Sequence, residues 1–272
     1  KKMTTRKSLG QNFLTNKNKI REIVAALGLE GNETVIEIGP GHGELTRELI
    51  KTPLARFIAI EKDPALAVSL KRNFQLSISN FQTPKIEIME GDALKILPSL
   101  IENCKLKIEN YKVVGNIPFY ITGFLLRVLS ELEPKPERIV LTVQKEVAAR
   151  IAARPPKMNL LAASVQFWAE PEITGIIPKS DFSPQPKVDS AILKITPKKT
   201  GAKPENYYPL IKTLFKQPRK TILNNLLAGY AIPKEKLIKI LELANINPND
   251  RPQNLGLNNF FNFLHRLETG SD

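Results

Sequence analysis

The segment T-V-I-E-I-G-P-G-H-G, residues 34–43, narrows the folds open to this chain more than any other stretch. Its first five residues read as a strand, and Glu44–Ile50 as the helix that follows. Between them Gly39, Gly41 and Gly43 let the backbone pass close to a ligand at a helix N-terminus. The dinucleotide-binding fingerprint would require a glycine where Glu44 stands, so that motif is broken here. Strand, glycine turn and helix make up the opening unit of an α/β sheet, in which ligands bind outside the carboxyl ends of the strands.

The strand-end pattern recurs. Phe57–Ile60 reads as a second strand with Glu61 at its end, about 20 residues past the first glycine, where a carboxylate can accept both hydroxyls of a ribose. Ile86–Met89 is a third, followed by E-G-D-A-L, in which Asp92 can take the amino group of an adenine ring. Lys112–Val114 is a fourth, running into a tight turn that holds Asn116, Ile117, Pro118 and Phe119. Proline has no N–H and a fixed φ, so it ends the strand and holds Ile117 extended. The Asn116 side-chain oxygen and the Ile117 carbonyl suit the two hydrogens of an adenine amino group, and Phe119 can stack on the ring. Taken singly, each acid is an ordinary surface charge or helix cap. Glycine loop, Glu61 and Asp92 at three successive strand ends describe a nucleoside pocket without a pyrophosphate clamp, and S-adenosylmethionine fits that description.

The rest of the chain arranges itself around this core. Residues 1–16 form a basic arm that reads as a solvated tail over its first eight residues, with a phosphate-contacting arm as the alternative. Asn16 or Thr15 can cap a helix from Lys17 to Leu27, which Gly28 ends. Beyond Phe119 the spacing predicts helices over Ile121–Leu132, Gln144–Arg154 and Leu160–Trp168, and strands over Arg138–Val143, Glu172–Ile177 and Ser190–Ile195. Between the last two strands a proline-rich loop, Pro178–Asp189, presents Phe182, well placed to stack on a base. Pro197–Pro204 reads as a linker. Helical period then recurs over Tyr207–Phe215, Arg219–Leu227, Pro233–Ala244 and Leu257–Leu267. The expected organisation is a basic arm (1–16), a Rossmann-like α/β domain (17–197) and a small all-helical domain (205–272).

Composition limits the partners. Forty basic against 27 acidic residues give a formal net charge of +13, which points to a polyanion, with nucleic acid favoured over a membrane surface. A single cysteine excludes an intrachain disulfide framework, and two histidines far apart in sequence make a metal cluster improbable. The basic start leads into no apolar stretch and does not read as a secretory signal. A cytoplasmic protein with no membrane partner is expected.

In order along the chain, G-Q-N-F-L, E-I-G-P-G-H-G-E-L-T, G-D-A-L, V-V-G-N-I-P-F, V-Q-K-E-V-A-A-R, F-S-P-Q-P-K-V-D-S-A and R-K-T-I-L-N-N-L closely resemble the rRNA adenine dimethylases. The resemblance implies an α/β, Rossmann-like S-adenosylmethionine-dependent methyltransferase with a small C-terminal all-helical domain, needing no metal. It implies transfer of two methyl groups to each of two adjacent adenines near the 3′ end of small-subunit rRNA, in an immature ribosomal subunit, by a monomer that releases S-adenosylhomocysteine. It would place Gln11, Asn12 and Leu14 beside the methionine end of the cofactor, with Gly39 and Gly41 beneath it, Glu61 on the ribose, Asp92 on the adenine and Asn116 between donor and target. Phe119 and Phe182 would stack on the target base. Arg6, Lys7, Lys145, Arg150, Lys187, Lys216, Arg219 and Lys220 are the expected RNA contacts. Phe119 stands where the family usually has tyrosine, Pro218 where it commonly has arginine, and K-M-N-L-L-A-A-S-V lacks the family's Y-G-R. The nearest rival is the resistance-type dimethylase acting on large-subunit rRNA; a binding protein of the same fold without catalysis is the alternative from another class.

Overall fold

The computed structural model describes residues 12–75, 85–102 and 110–269, apart from the side chains of Gln75 and Phe119. The expected contacts Arg6, Lys7 and Gln11, and the basic arm as a whole up to residue 11, lie outside the described residues. A short strand β1 (Phe13–Leu14) precedes helix α1 (Lys17–Leu27). The Asn16 side chain caps that helix by accepting the N–H of Asn18 and of Lys19, and Gly28 closes it in the left-handed conformation. Strands and helices then alternate: β2 (Glu33–Ile38), α2 (Glu44–Leu49), β3 (Leu54–Glu61), α3 (Pro64–Gln75), β4 (Lys85–Glu90), α4 (Ala93–Glu102), β5 (Tyr111–Asn116), α5 (Thr122–Glu131), β6 (Arg138–Gln144) and α6 (Lys145–Ile151). Next come α7 (Leu160–Trp168), β7 (Ala169–Ile177), β8 (Phe182–Ser183) and β9 (Ser190–Pro197). Helices α8 (Pro204–Leu214), α9 (Ile222–Gly229), α10 (Lys234–Leu243) and α11 (Leu257–Thr269) complete the chain.

Two helices, α3 and α4, have no counterpart in the sequence-based reading. The signals for α3 are present: Asp63 accepts the N–H of Ala65 at 2.8 Å as a cap, Pro64 opens the helix, and Leu66, Leu70 and Phe74 are buried. Helix α4 carries Pro98 in its interior, a residue that argues against a helix from sequence. Here Leu97 and Ile101 are buried, and that packing outweighs the local cost. Asn116 is also placed differently. It is the last residue of β5, paired with Thr142 of β6, rather than part of the turn after the strand.

Among the described residues, seven strands form one sheet in the order β4-β3-β2-β5-β6-β9-β7. The pairs β3–β4, β2–β3, β2–β5 and β5–β6 are parallel, and β6–β9 is antiparallel. Val35, Ile36, Ile58, Val113, Val114, Val140 and Leu141 are fully buried, as a sheet covered by helices on both faces requires. Strand order reverses at β2, which has β3 on one side and β5 on the other, and that reversal opens a crevice at the strands' carboxyl ends. At the opposite end the buried Lys112 ammonium donates to Glu33 Oε1 at 2.8 Å and to the Gly28 carbonyl at 2.6 Å. Glu33 in turn accepts the N–H of Glu30 and of Gly31, so this buried ion pair is bonded on both sides.

The chain divides into two compact units: the described residues up to Ala148 with Glu172–Pro197, and Ala149–Pro171 with Lys198 onward. Residues 149–171 thus fall in the helical unit and not, as expected, in the α/β unit. The reason is aromatic packing: Tyr207 stacks on Phe167 at 4.2 Å between ring centroids, and its hydroxyl donates to the Ala163 carbonyl at 3.0 Å.

Glu37 is a carboxyl buried in the middle of this sheet, 1% exposed, with the Thr46 hydroxyl donating to it at 2.6 Å. Burial pushes its pKa up to about 8 from an ordinary 4.5; the Thr46 bond opposes this, and the charges of Glu61 and Glu44 add to it. The folded state therefore holds this proton after the unfolded chain has released it. That costs stability progressively as pH rises from about 4.5 to about 8, and the loss is complete above. Glu37→Gln keeps the hydroxyl bond and removes the titration. Its melting temperature is expected to exceed wild type at about pH 9 and to converge with it at about pH 4, a difference on the order of 5 kcal/mol that thermal denaturation at the two pH values checks.

Candidate active site

The carboxyl ends of β2, β3, β4 and β5 border one cavity. Its walls include Gly39 and Gly41 after β2, Glu61 and Lys62 at the end of β3, Asp92 after β4, and Asn116, Ile117 and Pro118 at the end of β5. Hydrogen bonds of the ladder continue past the strand ends and hold these loops: Gly39 N–H to Ile60 carbonyl at 2.9 Å, Gly91 N–H to Glu61 carbonyl at 2.8 Å, and Ile117 N–H to Thr142 carbonyl at 3.2 Å.

Gly41 shows why the loop is glycine-rich. Its φ of 61° lies in the left-handed region, and a Cβ there would stand 2.7 Å from the Phe13 ring, which covers the loop. The Gly41 N–H donates to Glu61 Oε2 at 3.0 Å, and the Asp63 N–H to Oε1 at 2.8 Å. Each carboxylate oxygen has a further lone pair, so Glu61, 3% exposed and lining the cavity, can still accept hydroxyl donors.

Asp92 accepts the N–H of Leu94 at 3.0 Å, capping α4, and the Lys62 ammonium at 2.8 Å. That ammonium holds the Asp92 carboxyl below the usual carboxylate range, so the group stays an acceptor at neutral pH. Lys62 was not among the sequence-derived site residues. Its only signal was its position beside Glu61.

Asn116 Nδ2 donates to the backbone carbonyl of Asn12 at 2.8 Å. A carbonyl can only accept, so the amide's NH2 must face Asn12, which leaves Oδ1 as an acceptor. Asn12 is held by a clip between distant parts of the chain. Strand β1 pairs antiparallel with β8, Phe13 opposite Ser183 and Leu14 opposite Phe182. Beside it Thr15 donates to the Asp181 carbonyl from its N–H at 2.8 Å and from its hydroxyl at 2.9 Å, and Asn16 Nδ2 to the Asp181 carboxylate at 3.0 Å.

The structure thus gathers Asn12, Gly39, Gly41, Glu61, Asp92, Asn116, Ile117, Pro118 and Phe182 around one cavity. Leu14 is not among the lining residues. Its side chain is buried in the hydrophobic core, and the neighbouring Phe13, unassigned from sequence, takes the place at the cavity, because alternate residues of a strand point to opposite faces. The Phe119 side chain lies outside what the structure describes. Of the expected RNA contacts, Lys145 and Lys187 are exposed in the α/β unit, where the Lys145 N–H donates to the carbonyl of Asp189. Arg150, Lys216, Arg219 and Lys220 are exposed in the helical unit.

A parallel-cored seven-stranded sheet with a cavity at its strand ends, lined by Glu61, Asp92 and Asn116, is the fold of Rossmann-like S-adenosylmethionine-dependent methyltransferases. Comparison with known proteins narrows the class. The family model for the ribosomal RNA adenine dimethylases matches residues 2–268, and the chain belongs to that family of enzymes. A protein named ribosomal RNA small subunit methyltransferase A from Dehalococcoides mccartyi is 37% identical over 259 residues, 94% of this chain and 86% of its own. One of the same name from Ligilactobacillus salivarius is 37% identical over 275 residues, 97% of this chain and 90% of its own. Among solved structures, a dimethyladenosine transferase from Plasmodium falciparum is similar with a TM-score of 0.79 and 25% identity, over 94% of this chain and 98% of that one. The 23S rRNA methyltransferase ErmE is similar with a TM-score of 0.75 and 25% identity, over 94% of this chain and 100% of that one.

Gly115 stands directly before Asn116, and a methyl group added there would meet the Ile38 carbonyl oxygen at 2.5 Å and Ile117 Cδ1 at 2.7 Å. The backbone contact cannot yield without parting β2 from β5. Gly115→Ala is expected to lower stability by on the order of 1–3 kcal/mol, seen as a lower urea midpoint.

Proposed function

We propose that this chain transfers methyl groups from S-adenosylmethionine to the exocyclic amino groups of two adjacent adenines in the 3′-terminal hairpin of small-subunit rRNA, acting as a cytoplasmic monomer on an immature ribosomal subunit. The observation that carries this is the oriented amide of Asn116, whose Nδ2 is held by the Asn12 carbonyl. The cavity suits the cofactor. Glu61 would hold the ribose hydroxyls, Asp92 the adenine amino group, and Asn12 and the turn at Gly39 and Gly41 would lie beside the methionine end. When bound, the cofactor supplies an electrophilic methyl group on a sulfonium with a good leaving group.

The chain's own residues supply alignment. The lone pair of an adenine amino group is delocalised into the ring and is a weak nucleophile. Asn116 Oδ1 and the Ile117 carbonyl would accept its two hydrogens, favouring a pyramidal nitrogen with its lone pair aimed at the methyl carbon. No strong base is needed, because the nitrogen becomes far more acidic once it has attacked. A secondary amine keeps one hydrogen to donate and a dimethylated amine none, which sets the end point at two methyl groups. Phe182 and Phe119 would flank the base after it leaves its stack, returning about 1–3 kcal/mol per aromatic face.

Labelled S-adenosylmethionine and immature small subunits lacking the modification test the reading. Primer-extension stops at two adjacent adenines near the 3′ end are expected; transfer to large-subunit rRNA instead would replace it. Asn116→Ala should cut turnover by on the order of a hundredfold or more while RNA binding is kept, and turnover at the wild-type rate would sink the mechanism. RNA affinity should fall steeply with salt, since a protein with a net charge of +13 displaces counterions from phosphates; a flat log–log plot would show that the charge serves another purpose.

A further inference from the structure

Past Pro118 the chain leaves the cavity through one 3-10 turn, Phe119–Ile121, and enters α5. Two aromatic rings on this stretch stand out into solvent: Tyr120, 56% exposed, and Phe124, 67% exposed. Tyr120 also lines the cavity, so the pair leads outward from its mouth. Helix α5 does not use Phe124 for packing. Its buried face is Thr122, Leu125, Leu126 and Leu129. Gly123 adds no obstruction, since a Cβ there would meet nothing within 4 Å. Cations border the rings. Lys62, which shares the cavity wall with Tyr120 and is 54% exposed, is paired with Asp92, and Arg127, one turn beyond Phe124 and 79% exposed, is paired with Glu131.

Exposed rings flanked by cations, the first of them on the wall of the cavity, are the make-up of a single-stranded nucleic-acid track. When an adenine is drawn out of its stack, its neighbour in the RNA loses a partner on one face. We infer that Tyr120 and Phe124 form a ledge on which the nucleotide next to the target adenine stacks. The inference rests on the RNA-methylating reading above, and it makes Phe124 a substrate-positioning residue outside the cavity.

Phe124→Ala and Phe124→Trp test it, alongside the wild type. The rRNA hairpin carries 2-aminopurine in turn on either side of the target adenine, and methylation is followed on immature small subunits. Wild-type protein is expected to quench one of the two probes, Phe124→Ala to lose that quench, and Phe124→Trp to restore it. For Phe124→Ala the KM for subunits should rise about tenfold, the low end for one lost stack, with kcat, cofactor affinity and melting temperature unchanged. An unaltered KM, or no quench by the wild type, overturns the ledge. A raised KM with the quench intact shows that Phe124 meets a ribosomal protein instead, which also overturns it. Failure of the wild type to methylate any subunit defeats the underlying reading and the ledge with it.

Discussion

The parallel ladder sets everything else in this site. Ile38 pairs with Ile60 on one side and Gly115 on the other, Glu61 with Glu90, and Asn116 with Thr142. Those pairings bring four loops that are remote in sequence to one edge. Backbone bonds beyond each strand end then fix where the loops depart, before any side chain contributes. Hydrophobicity alone does not select this register, because Val35, Ile36 and Ile38 are all buried and a slip of one residue would bury a similar set. The buried polar bonds discriminate. A one-residue slip of β5 along β2 would carry Lys112 about 3.3 Å from Glu33 and the Gly28 carbonyl, leaving a buried ion pair broken.

A second constraint closes the cavity from far along the chain. Thr15 and Asn16 are bonded to Asp181, across 166 and 165 residues. Closing so long a loop costs little more entropy than closing a moderate one, since the cost grows only with the logarithm of length. The gain is specific: β1 is held where the Asn12 carbonyl meets Asn116 and the Phe13 ring covers Gly41. The amide orientation that suits amine recognition therefore depends on residues about a hundred positions away. Of the elements that hold Asn116, only β5 adjoins it in sequence.

The glycine turn, Glu61, Asp92 and Asn116 were legible because each sits where a β-branched run stops, and a strand end in an α/β sheet is a defined place. Which of the Phe13 and Leu14 side chains lines the cavity was not legible, since two adjacent residues of a strand face opposite ways. The β1–β8 pair of two-residue strands carries no periodicity to read. The ion pair of Lys62 with Asp92 is equally silent, being a contact across 30 residues. Helix α4 was hidden by Pro98, whose local penalty is outweighed by burial of Leu97 and Ile101. The boundary at 149–171 was missed for a similar reason: the ring of Phe167 belongs to whichever unit stacks on it, and that is Tyr207, beyond the linker.

Two buried carboxyls one strand apart show how environment divides roles within the same end of the sheet. Glu37 receives a single hydroxyl, from Thr46, and burial raises its pKa to about 8. Glu61 receives two backbone N–H groups, those of Gly41 and Asp63. Glu37 is absent from the cavity lining, whereas Glu61 faces the cavity. One of its two donors is the N–H of Gly41, a residue held left-handed under the Phe13 ring. The carboxylate and the glycine turn are consequently joined by a direct hydrogen bond. Whatever shifts the turn shifts the acceptor with it, which is why a cavity built on loops can keep the precision of the sheet beneath.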